Sequence, residues 1–341
     1  MITKNNKVGG GGIFGVPKKS GIFVVRNEKI MVQMERMSNN WLEVCVSERG
    51  AELQSVRGRR TGWEYLWQGD DRYWERRSPL LFPTVGRLSG DTARVRGVTY
   101  GMPMHGLVMD APFQLVAQGR GTLTYRLEST PAMHRMYPFP FELEVRYRLC
   151  ANHIEVKWQV KNTGLEEMPF HIGGHPGINY PEFDSRAEVH AYVDFGRRGP
   201  LESCTVRRSN CLARRRYELP LGSDGLLPLT NGLFERNAVI IDREQAVRAV
   251  MLDVNKRPYV TVDFNAPVLL LWSPEGKNAP FVCVEPWYGL CDAEGYNGEL
   301  CDRPYTNLLA PGHRTVMGYT LYMDAEATRR TPVRGLRKTF A

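Results

Sequence analysis

From Trp41 onward the side chains of this chain repeat with a period of two. Ile154, Val156, Trp158 and Val160 interleave with Glu155, Lys157 and Gln159, which gives an extended segment one apolar face and one wet face. Similar alternation runs through Leu42–Val46, Leu143–Leu149, Tyr259–Phe264 and Val316–Tyr322. Turn-forming clusters separate the runs, among them Asn162-Thr163-Gly164, Gly222-Ser223-Asp224-Gly225 and Pro274-Glu275-Gly276. No long segment carries a convincing helical period, and no internal repeat is evident. Many short strands with polar turns predict an all-β antiparallel sandwich in one domain over about residues 38–325.

The two ends differ from that body. Residues 1–37 hold four consecutive glycines, Gly9 to Gly12, and carry seven Lys/Arg against two Glu. Such a stretch loses much backbone entropy on ordering, and a flexible basic extension is expected there. Residues 326–341 read as a second basic tail, with five Lys/Arg and no acid from residue 329 on. The net charge of +8 therefore belongs to the ends, and the body between them is close to neutral. Basic ends without aromatic recognition signatures argue against a nucleic-acid binder. Arg207, Arg208, Arg214, Arg215 and Arg216 form the one internal basic cluster. It reads either as a solvated strand face or as an anion-binding patch.

Seven cysteines, an odd number with no CxxC pair, point to reduced thiols and to no zinc site. No apolar run is long enough to span a bilayer, and the first residues lack the pattern of a secretory signal. A cytoplasmic protein is expected, with no membrane partner, no metal and no cofactor. The glycine run at 9–12 follows no strand and opens no helix, so it is not a nucleotide fingerprint.

Four places put ionisable residues beside Gly or Pro. In Ser78–Arg87 an apolar run stops at Gly86 and Arg87, whose guanidinium fork suits vicinal oxygens. In Met102–Gly106, His105 is held between Pro103 and Gly106. In His171–Asn179 two histidines stand four apart, but Gly173, Gly174 and Pro176 make a metal-binding helix untenable. The glycines around His175 suggest close backbone approach and a side chain displayed in a cleft. In Phe281–Tyr288 an apolar strand closes on Glu285, a costly place for a carboxylate unless it is paired or functional. Trp287 and Tyr288 add aromatic surface of the kind that stacks on sugar C–H faces. Each place also admits a structural reading, as a packed loop histidine, a solvated arginine or a Glu satisfied by backbone N–H groups.

Taken in order, these motifs resemble the aldose 1-epimerase family, in particular its shorter, LacX-like bacterial branch. The resemblance runs through Gly50–Ser55, Trp67–Asp70 with Tyr73-Trp74, Pro79–Leu88, Met102–Gly106, Gly173–Asn179, Leu271–Pro274 and Phe281–Gly289. It implies a galactose-mutarotase-like β-supersandwich with a sugar bound in an open cleft. It implies Glu285 as catalytic base and His175 as acid. Arg87, His105, Asn179 and Trp287 would contact a free aldohexose. The galactose-specific members carry a further Asp between the second His and the Glu. Here the matching region, Leu233–Ile240, offers Glu235 and Asn237 instead, which leaves the sugar open. One Glu facing histidines does not suit glycoside hydrolysis, which generally uses two carboxylates. The alternatives are a hexose-6-phosphate 1-epimerase and a non-catalytic carbohydrate-binding protein on the same fold.

Overall fold

The alternating segments become antiparallel strands. The computed structural model describes residues 33–235 and 237–327. Most of residues 1–37 and 326–341, expected as basic extensions, lie outside the described residues.

Two large sheets carry the fold. A nine-stranded sheet orders Leu227–Thr230, Val189–Asp194, Arg248–Leu252, Pro258–Phe264, Arg314–Tyr322, His153–Asn162, Phe141–Cys150, Thr122–Glu128 and Gln114–Gly119. An eight-stranded sheet orders Leu212–Glu218, Glu202–Val206, Ala238–Ile241, Val268–Trp272, Phe281–Tyr288, Ile172–Gly174 and Leu80–Leu81. Its eighth strand, Gly177–Asn179, also pairs with Phe281–Tyr288. Among the described residues no helix is long and apolar enough to cross a membrane.

The sheets pack face to face. Ile154, Val156, Trp158 and Val160 of the larger sheet join Val239, Ile241, Leu269, Leu271, Val282 and Val284 of the smaller in one buried cluster. Glu155, Lys157 and Gln159 face outward, as the alternation requires. The smaller sheet departs from that pattern. Its opposite face carries Cys204, Ala238, Ile240, Val268, Leu270 and Trp287, a second apolar cluster. Both its faces are therefore apolar, and the second one forms the floor of a cleft.

The ordered body extends beyond the expected edges at 38 and 325. Strand Met34–Ser38 pairs with Leu42–Ser47, and a short helix covers Asp324–Ala327. Glu326, expected to open a solvated tail, is fully buried. Its carboxylate accepts hydrogen bonds from the backbone N–H groups of Arg60 and Thr61 and from the Tyr65 and Thr61 hydroxyls. Glu326→Ala strands these donors and should cost about 3 kcal/mol, read as a lower midpoint in urea unfolding at unchanged slope. A shift no larger than that of an exposed Glu→Ala control would show that Glu326 anchors nothing.

Candidate active site

Strand Phe281–Tyr288 sits between three neighbours, and their registers decide what meets on the cleft face. On one side Gly173 pairs with Trp287 and Gly177 with Cys283. The residue midway between those glycines, His175, therefore stands opposite Glu285. On the other side Leu270 pairs with Glu285, and Ile240 with Leu270. Backbone bonds from His175 N–H to the Pro79 carbonyl (3.1 Å) and from Val284 N–H to the Pro176 carbonyl (3.0 Å) lock the segment. Glycine is required on both sides of the histidine. A Cβ at Gly173 would lie 2.6 Å from the Trp287 ring, and one at Gly177 would lie 2.9 Å from Trp67 Cβ.

As a result His175 Nε2 lies 3.2 Å from Glu285 Oε1. Both side chains are buried, and neither Glu285 oxygen has a well-aligned hydrogen-bond donor. Burial pushes the Glu285 carboxyl well above its ordinary 4.5, opposed in part by the nearby Trp287 indole. Burial also holds His175 well below 6.5, and the neighbouring His105 and Arg76 add to that. Both shifts favour the neutral forms, a carboxylic acid facing an unprotonated imidazole.

Aromatic rings wall the pair. Trp74 stacks on His175 at 4.7 Å, and Trp272 meets the same imidazole edge-on at 5.8 Å. The Trp67 indole N–H donates to the Trp74 carbonyl at 2.7 Å. The Lys277 ammonium donates to the carbonyls of Arg72 and Tyr73 at 2.8 and 3.2 Å. Together these bonds fix the Trp74 segment. His105 lies edge-on to both His175 (5.4 Å) and Trp287 (6.0 Å). Its Nδ1 accepts the Gly86 N–H at 3.1 Å, which leaves Nε2 as the donor of the neutral ring. Desolvation, with a smaller push from Arg76, brings His105 down to about 4.

The cleft has a volume of about 540 Å³, within the usual range of small-molecule sites. Of the residues expected from sequence, Glu285, His175, His105, Arg87 and Trp287 line it together. Arg87 is forked onto Asp91, at 2.7 and 2.6 Å. Asn179 does not join them. Its amide donates to the carbonyls of Glu64 (3.0 Å) and Leu66 (2.9 Å), and it lines a separate cavity of about 240 Å³. Its partner across the strand pair is Phe281, whose ring stacks on Trp67 at 4.3 Å. Asn237 does reach the cleft, in a left-handed conformation and hydrogen-bonded to Asn210, whereas Glu235 does not.

Arg76, Trp74 and Trp272 also line the cleft, and the sequence reading gave none of them a site role. Arg76 is paired with Asp110, 34 residues away, at 3.2 and 2.8 Å. The two tryptophans lie inside motif blocks, and that was their only signal. His171 belongs elsewhere: its Nε2 lies 2.9 Å from the Thr306 hydroxyl. Donor atoms of His175, Cys283 and Glu285 come within 4.8 Å of one another. Burial, reinforced by Glu285, keeps the Cys283 thiol well above 9.0, in the neutral form that ligates metals poorly. The arginines at 207–216 do not line the cleft, and Arg216 is bound to Asp242 at 2.6 and 2.7 Å.

Comparison with known proteins identifies the family. The family model described as aldose 1-epimerase matches residues 34–307. The chain belongs to the aldose 1-epimerase family. The chromosomal LacX protein of Lactococcus lactis subsp. lactis is 30% identical over 286 residues, covering 81% of this chain and 94% of that protein. A galactose mutarotase related enzyme from Lactobacillus acidophilus superimposes with a TM-score of 0.78 at 30% identity, over 85% of this chain and 97% of that one. A galactose mutarotase-like protein from Lactobacillus casei gives a TM-score of 0.80 at 28% identity, over 85% and 99%. The two-sheet body of this epimerase-family chain is thus the galactose-mutarotase-like sandwich.

Glu285→Gln provides a direct check on the buried carboxyl. A folded-state pKa above 4.5 means that wild-type stability falls as pH rises above that value. A glutamine does not titrate. The variant should melt a few degrees higher than wild type near neutral pH, and the gap should widen from pH 5 to pH 8 in calorimetric scans. A gap that stays constant or narrows would mean that Glu285 is ionised and satisfied in the free protein.

Proposed function

We propose that this chain is a mutarotase, interconverting the α and β anomers of a free aldose by acid–base ring opening and closure. The facing pair of Glu285 and His175, 3.2 Å apart in an aromatic-walled cleft, carries the reading. Opening a cyclic hemiacetal takes a proton from the C1 hydroxyl and gives one to the ring oxygen. Passage of the proton from the Glu285 carboxyl to His175, 3.2 Å away, readies the pair: the carboxylate accepts the first, and the imidazolium delivers the second. The pair then stands as carboxylic acid and neutral imidazole, the state that burial favours. Rotation about C1–C2 and reversal of both transfers close the ring on the other face of the carbonyl.

His105, with its donor on Nε2, and Arg87 and Arg76, with their rigid forks, would orient hydroxyls, a contribution through positioning. Trp74 and Trp272 exclude water from the imidazole. A sugar phosphate is less well served. The cleft guanidinium groups of Arg76 and Arg87 are already engaged, by Asp110, which Arg49 shares, and by Asp91. A protein that only bound sugar would gain nothing from burying Glu285 without a donor.

The test is the approach to anomeric equilibrium of freshly dissolved α-glucose and α-galactose, followed by polarimetry or proton NMR. Wild type should speed it, and Glu285→Gln and His175→Asn should each lose on the order of 10²–10⁴-fold. A wild-type protein that binds either sugar but leaves the rate at the protein-free value would instead make it a carbohydrate-binding module. Preference for glucose 6-phosphate by a large factor would favour the phosphosugar enzyme.

A further inference from the structure

The block Gly50–Ser55, part of the family resemblance, supplies nothing to the cleft lining. One residue in it does reach the segment on which His175 hangs. Residues 77–81 run antiparallel to residues 173–177. Gly173 pairs with Leu81 and Gly174 with Leu80. The Pro79 carbonyl accepts the His175 N–H at 3.1 Å, and the Arg77 carbonyl accepts the Gly177 N–H at 2.8 Å. The place of the imidazole therefore depends on where residues 77–79 lie.

Glu52 holds that end of the segment. One oxygen of its buried carboxylate accepts the backbone N–H groups of Arg77 and Ser78, each at 2.9 Å. The other accepts the Gln54 amide at 3.0 Å. The turn that presents Glu52 has little freedom. The Gly50 N–H donates to the Ala111 carbonyl at 2.8 Å, and the Tyr147 hydroxyl donates to the Ala51 carbonyl at 2.7 Å. A Cβ at Gly50 would lie 2.4 Å from the Met109 carbonyl oxygen. Loss of the Glu52 carboxylate would leave two N–H groups without a partner and release the chain beside the carbonyl that holds His175.

We propose that Glu52 is a positioning residue for His175: it fixes residues 77–79, and through their carbonyls the imidazole that faces Glu285. Its effect on rate rests on the mutarotase reading. What matters is an acceptor oxygen at the end of a two-methylene arm, so glutamine can stand in and aspartate cannot. Contacts to sugar hydroxyls should change little, because Arg76 and Arg87 have their own anchors in Asp110 and Asp91.

The experiment measures kcat and KM for α-glucose and α-galactose, below the onset of unfolding of each protein. Glu52→Ala and Glu52→Asp should lower kcat by about tenfold or more with KM within about threefold, as expected for a displaced catalytic group. Glu52→Gln should stay within about threefold of wild type. Glu326→Ala is the control, since Glu326 also accepts two consecutive backbone N–H groups but lies outside the cleft lining; it should leave kcat unchanged. Hydrogen exchange at the His175 and Gly177 amides, followed by NMR, should quicken in Glu52→Ala and in Glu52→Asp but not in the control. If the alanine variant does not fold, the aspartate variant carries both measurements. A wild-type kcat in the aspartate and alanine variants overturns the proposal, and so does a fall that Glu326→Ala matches or that glutamine does not reverse. If wild type accelerates neither sugar, the mutarotase reading falls, and exchange alone decides whether Glu52 holds His175; unchanged protection would then overturn that as well.

Discussion

The position of Glu285 depends on strand register. A strand's side chains alternate between faces, so a slip of one residue would turn Glu285 into the core and bring Val284 or Pro286 to the cleft. Two sets of pairings prevent the slip. Leu270 opposes Glu285 on one side, while Gly173 and Gly177 bracket the opposing His175 on the other. His175 sits in the two-residue break between Ile172–Gly174 and Gly177–Asn179, and the pairing of both strands with Phe281–Tyr288 sets its distance from Glu285. A group pinned on both sides by paired strands has little freedom, which would suit the proposed proton transfer over about 3 Å.

Such a site costs stability, and the surrounding structure offsets that cost. A buried carboxyl without an aligned donor is unfavourable. Around it, Trp67, Trp74 and Phe281 form a stacked aromatic layer, and the core between the sheets supplies broad apolar burial. The loop bearing Arg87 is fastened from behind. Asp292 takes a bidentate pair from the buried Arg303 (2.6 and 3.1 Å) and accepts the Ser89 N–H, while its own N–H donates to the Arg87 carbonyl. Breaking a buried ion pair by removing one member is strongly destabilising, so this contact holds the cleft rim as well as the fold.

What was legible in the sequence followed from local physics. The outer sheet has one wet face, so its strands announced themselves by alternation, as at Ile154–Val160. The cleft sheet has two apolar faces, and runs such as Val268–Trp272 and Phe281–Tyr288 alternate little. They yielded to reading only where a charge interrupted them, as at Glu285. The glycines beside His175 also carried a readable meaning, since a Cβ at Gly173 or Gly177 would strike a tryptophan. Asn179 was misleading because nearness in sequence says nothing about the Glu64 and Leu66 carbonyls that hold its amide at a separate cavity. Arg76 left no local trace at all, because its partner Asp110 and its place in the cleft are products of tertiary closure. The C-terminal edge was set too early for a similar reason: the donors that bury Glu326 lie more than 260 residues upstream.

The cleft draws on Trp74 to Arg87, His105, His175, and the run from Asn237 to Glu285. No two of these are joined by a short turn. Local chain collapse cannot preassemble such a site, and topologies dominated by distant pairings fold slowly. The cleft exists only after several long loops have closed, and no excised fragment holds a working part of it. On the mutarotase reading, the return of activity after denaturation would therefore register completion of the whole β-sandwich, more sharply than any spectroscopic measure of strand content.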